Sequence, residues 1–319
     1  MNNAFLLGLL LRHILRHRAV GDYYARPLFL ELARHYAPFF GVNSAIGVIC
    51  VSPHDRVIAQ SLFFQGAWED TETLRVADEV VRTVTSPSQK KRVFVDVGAN
   101  VGTTSISAVG SGMFDTAIAI EPDPSNGVFL RQSILASGLE GRIAPFNVAL
   151  SDRAFEAILE RSPVNFGDCR IRVDEDSGGT NAMDEASWKT VTVSCTTFDQ
   201  LVARGVIHLN DVGMVWMDTQ GHEGHILRGA QSLLTSDIPV VIEFWPYGLE
   251  RAGGLTSLIE LIASHYSSIA DLRVRARGGP TLRKATDVIE ICEKYGGHAE
   301  LHTDLLLLKA DASQPSLVQ

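Results

Sequence analysis

Short apolar segments alternate with amphipathic ones along the chain after residue 92. The apolar segments predict buried strands at 93–97, 116–120, 143–150, 212–217 and 239–244. The amphipathic segments between them predict helices at 102–109, 124–137 and 223–234. Strands and helices that alternate in this way form a mostly parallel sheet covered on both faces. The pattern therefore predicts an α/β domain over residues 92–310.

Residues 1–85 have a different pattern and predict a helical and β-hairpin extension at the N-terminus. Two β-rich runs, 45–51 and 56–59, flank a turn signal at 52–55 and predict the hairpin. Helical spacing predicts a helix over 71–83, and a polar stretch at 86–92 predicts a linker.

The first residues combine an apolar run, 4–11, with basic residues that follow it. The run is too short for a transmembrane segment, which needs about 20 apolar residues, and a signal peptide would carry its positive charge first. A basic amphipathic helix over residues 4–18 is compatible with peripheral contact to a membrane surface. Packing on its own domain, or on a second subunit of a homo-oligomer, is the favoured alternative.

Composition narrows the class of protein. The chain has 319 residues, 45% of them hydrophobic, and a formal net charge of −9, which argues against a nucleic-acid partner. The four cysteines lie far apart without a CxxC pair, so we expect neither a disulfide framework nor a metal site. Reduced thiols and a cytoplasmic location are the expectation.

The first predicted strand ends in a glycine turn, with Gly98 and Gly102 before a helix. Such a turn lets backbone N–H groups approach a ligand at the carboxyl edge of a sheet, although a turn without a ligand stays an alternative. Glu121 ends the next strand, where nucleoside-binding domains place the acid that binds ribose hydroxyls. Asp123 and Ser125 are better candidates than Glu121 to cap the following helix.

The kind of nucleoside follows from what the turn contains. Neither the three glycines of a dinucleotide fingerprint nor the Gly-Lys-Ser/Thr of a P-loop is present at this turn. Asp96, two residues before Gly98, suits a ligand with a cationic ammonium and sulfonium. S-adenosylmethionine is therefore the predicted cofactor.

An ordered set of motifs over residues 45–310 resembles the FkbM family of methyltransferases. The motifs are DVGANVG at 96–102, EPDPSN at 121–126, NVALSD at 147–152, NFG at 165–167, TFDQL at 197–201, DTQGHE at 218–223, GA at 229–230, VIE at 241–243 and HTDLL at 302–306. The acidic residue that the family usually has in its fourth motif is Gln220 here, and we give that position no acid–base role.

The resemblance implies a Rossmann-like class I methyltransferase sheet that binds S-adenosylmethionine and methylates a hydroxyl of a small molecule, natural product or glycan. It implies that four residues surround the methionine part and the ribose: Asp96, Gly98, Asn100 and Gly102. It places Glu121 on the ribose hydroxyls and Asp218 at the reactive centre. It places three residues beside the adenine: Leu150, Ser151 and Asp152.

Three carboxylates are candidates for catalysis. Asp218 follows a predicted strand, and its side chain either faces the reacting groups or caps the next helix. Glu243 interrupts an apolar strand, where burial is costly unless the group is useful or paired, for example with Arg228. Glu223 lies in the first turn of a helix, where the helix dipole alone accounts for a carboxylate.

Other features of this region bear on the acceptor. His222 and His225 lack the spacing of a zinc motif and are expected to face solvent or the acceptor. The polar insert at 152–196 predicts a hairpin or lid, with Asn165 and Asp168 as possible acceptor contacts. Two alternatives stay open: an N-methyltransferase, and a non-catalytic nucleoside-binding protein of the same fold.

Overall fold

The computed structural model describes residues 18–66, 68, 70–84, 93–172, 183, 185–274, 280–296 and 298–310. Within them the strands are β1 (Phe40–Ser44), β2 (Gly47–Val51), β3 (Val93–Val97), β4 (Thr116–Ile120), β5 (Ile143–Phe146), β6 (Ala149–Leu150), β7 (Phe155–Arg161), β8 (Cys169–Ile171), β9 (Lys189–Thr196), β10 (Val212–Met217), β11 (Val240–Phe244), β12 (Ser268–Asp271), β13 (Arg283–Lys284) and β14 (Thr303–Leu308).

The helices of the same residues are α1 (Arg18–Tyr36), α2 (Ile58–Gln65), α3 (Asp70–Val84), α4 (Thr103–Gly110), α5 (Pro124–Ala136), α6 (Phe198–Ala203), α7 (Glu223–Arg228), α8 (Gln231–Leu234), α9 (Pro246–Arg251), α10 (Leu255–His265) and α11 (Val288–Tyr295). No helix of the described part of the chain has the length and apolar character needed to cross a membrane. The amphipathic segment predicted at 4–18 lies outside the described residues except for Arg18.

One sheet of eight strands organises the fold, in the order β13-β12-β14-β11-β10-β3-β4-β5. Strands β3, β4, β5, β10 and β11 are parallel, and β14 runs antiparallel to its neighbours β11 and β12. Because β3 pairs with both β4 and β10, the chain reverses its direction of winding there. Ligands of open α/β sheets bind in the crevice at such a point.

Apolar residues on both faces of the sheet form two separate cores. In β3, Val95 and Val97 belong to one core and Phe94 to the other, as the alternation of side chains along a strand requires. Helices therefore cover both faces, and the predicted α/β class is confirmed.

The strand predicted at 143–150 is two strands. β5 joins the large sheet, whereas β6 belongs to a four-stranded sheet of order β6-β9-β7-β8 built mostly by the insert. The helix predicted at 223–234 is likewise two helices, because the Asp199 carboxylate accepts bonds from the N–H groups of Gln231 and Ser232 and starts α8 there.

The N-terminal extension contains a hairpin, and the run at 45–51 supplies one of its strands, but the strand predicted at 56–59 is wrong. β2 pairs with β1, which precedes it, and residues 58–65 form α2 instead of a strand. The cause is Asp55, whose Oδ1 accepts bonds from the N–H groups of Val57 (2.8 Å) and Ala59 (3.1 Å) and so favours a helical start. The helix predicted at 71–83 is α3.

The extension shares its core with the α/β domain. Ile49, Leu62 and Leu74 pack in the same cluster as Phe94 and Ile106. The predicted linker at 86–92 lies outside the described residues.

Candidate active site

The turn after β3 approaches the end of β10 closely at the point where the winding reverses. Gly98 has a φ of +88°, and a Cβ atom there would lie 1.8 Å from the carbonyl oxygen of Asp218. The N–H of Asp218 donates to the carbonyl oxygen of Val97 at 3.0 Å, which holds the two segments together. Only glycine fits this approach, and the turn brings the predicted residues Gly98 and Asp218 side by side.

Glu121 is buried at the end of β4, where both its oxygens bind backbone. Oε2 accepts from the N–H of Asn100 and Oε1 from that of Asp123, each at 2.8 Å. Burial raises the pKa of this carboxyl to about 8. Each oxygen keeps a further lone pair for a ribose hydroxyl, so Glu121 ties the glycine turn to the predicted ribose position.

Of the two residues predicted to cap α5, Asp123 does so and Ser125 does not. Oδ1 of Asp123 accepts from the N–H groups of Ser125 and Asn126. Ser125 does not cap the helix with its side chain; its Oγ instead accepts a bond from Arg161.

Two residues with side chains have a left-handed backbone at this site: Asn100, within the glycine turn, and Gln220, which follows β10. Asn100 (φ +49°) and Gln220 (φ +55°) have left-handed backbones, which cost side-chain-bearing residues free energy and cluster at functional sites. The buried Oδ1 of Asn100 has no hydrogen-bond partner among the described residues. A ligand N–H or O–H, or an ordered water, would satisfy such an atom.

Asp96 lies just beneath the turn. It is buried in β3, accepts a bond from the Oγ of Ser105, and has a pKa that burial raises to about 7. Its carboxyl is not on the wall of either cavity described below.

A first cavity opens between this turn and the insert. Its wall includes Gly98, Asn100, Glu121, Leu150 and Asp218, as predicted for the cofactor. Three further predicted residues stand behind the wall: Gly102, Ser151 and Asp152. The insert closes the cavity with four residues: Leu159, Gly167, Cys169 and Ile171. The cavity volume is about 50 Å³, which is less than the roughly 300 Å³ or more typical of ligand pockets, so we expect the insert to move when a nucleoside binds.

His222 does not face solvent, which was one of the two predictions for it, because this ring is buried on the wall of the first cavity. Its Nε2 lies 3.0 Å from the Oγ of Ser151, and its ring stacks on that of His225. Burial lowers the pKa of His222 to about 3, so the imidazole is neutral. Ser151 therefore contacts a residue of the first cavity's wall, His222, without lining the cavity itself.

A second cavity, of about 330 Å³, adjoins the first. Five residues line both cavities: Gly98, Asn100, Gly167, Asp218 and Gln220. The predicted acceptor contacts Asn165 and Asp168 line the second cavity. A ligand bound in the first cavity and a ligand bound in the second would therefore be adjacent to each other beside Asp218.

Gln220 joins two of the predicted catalytic carboxylates. Its Nε2 donates to Oδ1 of Asp218 at 2.7 Å and to Oε2 of Glu243 at 2.9 Å. Burial, together with the charge of Asp218, raises the pKa of Glu243 well above its usual range. Sequence reasoning gave Gln220 no role, and no signal in the sequence pointed to this bridge.

The structure shows which partners the candidate carboxylates have. The suggested partner of Glu243, Arg228, lies 3.6 Å from Asp152 instead. It is Glu223, not Asp218, that binds the start of the helical segment, accepting from the N–H and Oγ1 of Thr219. Glu223 lines neither cavity, and burial raises its pKa to about 7.

Parts of the chain that sequence reasoning left out complete the second cavity. The extension contributes Trp68 and Asp70, and the C-terminal part contributes Arg273 and His302. Within the described residues, no three His, Cys, Asp or Glu side chains are arranged to hold a metal ion.

Comparison with known proteins decides the family. The model of the methyltransferase FkbM domain matches residues 96–273, which are 178 of the 319 residues. The chain belongs to the FkbM methyltransferase family. The match confirms the resemblance and begins at Asp96, after the extension.

Two curated relatives of this FkbM protein are methyltransferases. Hexuronic acid methyltransferase AglP of Haloferax volcanii is 26% identical over 171 residues, which are 53% of this chain and 63% of AglP. The 2-O-methyltransferase NoeI of Sinorhizobium fredii is 25% identical over 211 residues, which are 63% of this chain and 82% of NoeI.

Solved structures with a related fold include an O-methyltransferase from Bacillus cereus in complex with S-adenosylhomocysteine. That protein is 12% identical, with a TM-score of 0.39, and the alignment covers 80% of this chain and 98% of that one. TYW2 of M. jannaschii, in complex with AdoMet, is 11% identical, with a TM-score of 0.39 and 85% coverage of each chain.

Proposed function

We propose that this protein transfers a methyl group from S-adenosylmethionine to a hydroxyl of a sugar or a related polyhydroxylated acceptor. The observation that carries the proposal is the meeting of two cavities beside Asp218 and Gln220. Methyl transfer is an in-line displacement, so donor and acceptor must be held on either side of one point.

The residues of the first cavity fit the cofactor. Glu121 has lone pairs for the ribose hydroxyls, the unpartnered Oδ1 of Asn100 can accept from a ligand N–H or O–H, and Leu150 and His222 form the wall for the adenine. When bound, S-adenosylmethionine supplies a methyl group activated by the positive charge on its sulfur. The family's activity and its relatives support this assignment.

On the acceptor side, the chain must position a hydroxyl and receive its proton. Because burial raises the pKa of Glu243 and so makes it harder to ionise, Asp218 is our candidate for the proton acceptor. Gln220 fixes both carboxyls by donating to each of them. Glu243 and Gln220 then act as positioning groups for Asp218 and the acceptor.

The names of the relatives support an oxygen acceptor of the sugar type, since AglP acts on a hexuronic acid and NoeI is a 2-O-methyltransferase. The four cysteines are free, which supports a cytoplasmic location. Homo-oligomer formation stays a prediction.

The test of this mechanism is a pair of isosteric variants. Asp218→Asn should lower kcat by about 10²–10⁴, because it removes the base and keeps the shape. Glu243→Gln should lower kcat less, because burial already disfavours the ionised form of this carboxyl. Affinity for S-adenosylhomocysteine, measured by calorimetry, should stay within a few-fold in both. Turnover of Asp218→Asn at the wild-type rate would leave proton removal to solvent and refute the role of Asp218.

A further inference from the structure

Carboxyl groups outnumber basic groups on the wall of the second cavity. Five carboxyl groups line it: Asp70, Asp168, Asp218, Glu243 and Glu300. Two guanidinium groups, those of Arg170 and Arg273, and the imidazole of His302 are the basic groups on the same wall. Which acceptor the cavity prefers depends on whether these cations are already engaged.

Arg170 is engaged by two carboxylates and held between two rings. It binds both oxygens of Asp168, at 2.7 and 2.8 Å, and one oxygen of Glu185 at 2.5 Å. Its guanidinium lies 4.8 Å from the ring of Trp188 and 4.5 Å from that of Trp245. Removing one carboxylate partner from a buried cation costs free energy, so we do not expect Arg170 to exchange Asp168 or Glu185 for the carboxylate of an acceptor.

Arg273 is likewise shared between two carboxylates. Its Nε donates to Oδ2 of Asp304 at 2.6 Å, and its Nη2 lies 3.8 Å from Oδ1 of Asp70. The other oxygen of Asp70 accepts from the indole N–H of Trp68 at 2.7 Å.

Asp218 and Glu243 face this cavity with a neutral amide, Gln220, between them. Burial, and after it the charge of Asp218, raises the pKa values of both Asp70 and Glu243 well above their usual range. A positive charge brought into the cavity would favour the ionised forms of both carboxyls and bind to them, whereas a further negative charge would be repelled by Asp218.

We propose that the second cavity selects a hydroxylated acceptor that also carries an ammonium group, of the amino sugar class, and rejects one that carries a carboxylate. The proposal rests on the proposed function, since it takes this cavity as the acceptor site. It assigns the extension a part in specificity, because Asp70 supplies one of the carboxylates that face the ammonium. The hexuronic acid of AglP would not be an acceptor here.

Three monosaccharides of the same ring test the order of preference. Glucosamine, glucose and glucuronate would be titrated into the protein saturated with S-adenosylhomocysteine, and binding followed by ligand-observed NMR. We expect glucosamine to bind at least about tenfold more tightly than glucose, since a charge-assisted hydrogen bond has about that value, and glucuronate to bind more weakly than glucose. The preference should shrink as salt is added. Equal affinities, absence of binding by all three, or tighter binding of glucuronate would overturn the proposal.

A matched pair of variants on α3 locates the effect. Asp70→Asn should reduce the ratio of glucosamine to glucose affinity several-fold, whereas Glu79→Gln, an exposed carboxylate on the same helix, should leave it unchanged. An unchanged ratio in a folded Asp70→Asn protein would contradict the part assigned to the extension. Methyl transfer to any hydroxyl is measured separately, so the proposed function stands if methyl transfer occurs but the order of sugars is wrong.

Discussion

Gly98 offers the sharpest test of how the two cavities are built. In Gly98→Ala the Cβ would start 1.8 Å from the Asp218 carbonyl oxygen, and Cβ contacts under 3.0 Å essentially do not occur. The turn and β10 must therefore separate by about 1.2 Å, the difference between these two distances. A left-handed backbone costs an alanine about 1–2 kcal/mol. The displacement adds to that cost, so we expect a loss of about 3 kcal/mol or more in the free energy of unfolding.

The matched control is Gly112→Ala. Gly112 has a similar φ of +78°, but a Cβ there meets nothing within 4 Å, so this variant carries only the backbone cost. Urea unfolding of both variants measures the stability, and calorimetry with S-adenosylhomocysteine measures the site. Gly98→Ala should be the less stable and lose at least tenfold in affinity, while Gly112→Ala keeps its affinity. Equal stabilities together with unchanged affinity would refute the close-approach argument.

Three further predictions concern the same site. Glu121→Ala removes both oxygens that face the predicted ribose and should weaken S-adenosylhomocysteine binding at least about tenfold without unfolding the protein, and an unchanged dissociation constant in calorimetry would place the ribose elsewhere. The folded pKa values of Asp96, Glu121 and Glu223, about 7, 8 and 7, exceed those of the unfolded chain, 3.8 for the aspartate and 4.5 for the glutamates. The folded state therefore holds more protons, and its free energy of unfolding should fall from pH 6 to pH 8, by up to about 1.4 kcal/mol per group and pH unit; urea unfolding that shows no fall would contradict the burial of these acids. Because the insert closes the cofactor cavity, S-adenosylhomocysteine and acceptor together should slow limited proteolysis within 152–196, and equal cleavage with and without ligands would make the insert a passive surface.

The parallel strands of the large sheet were predictable because they are short, continuous apolar runs, whereas β12 and β13 of the same sheet were not predicted. The runs at 93–97, 116–120 and 212–217 coincide with β3, β4 and β10 residue for residue. Buried parallel strands have this pattern, and little else does at that length between turns. Asp218 and Glu121 could be placed on one crevice for the same reason, since both end parallel strands.

What could not be predicted depends on contacts between distant segments. Val57 and Ile58 have β-branched side chains that favour a strand, yet the side chain of Asp55 starts a helix there. The other oxygen of Asp55 accepts a bond from the N–H of Phe166 in the insert. The bridge made by Gln220 depends on a left-handed backbone, which a periodic pattern does not encode. The helical spacing of α3 likewise shows that one face is buried, but not that Asp70 lines a cavity.

The central claim is methyl transfer from S-adenosylmethionine to a hydroxyl oxygen at the junction of the two cavities. The direct measurement incubates the purified protein with S-adenosylmethionine carrying a deuterated methyl group and the three monosaccharides, and analyses the products by mass spectrometry. We predict that S-adenosylhomocysteine forms together with an acceptor whose labelled methyl is on oxygen, and that both disappear in Asp218→Asn. Label on nitrogen, or products formed equally well by Asp218→Asn, would contradict the account.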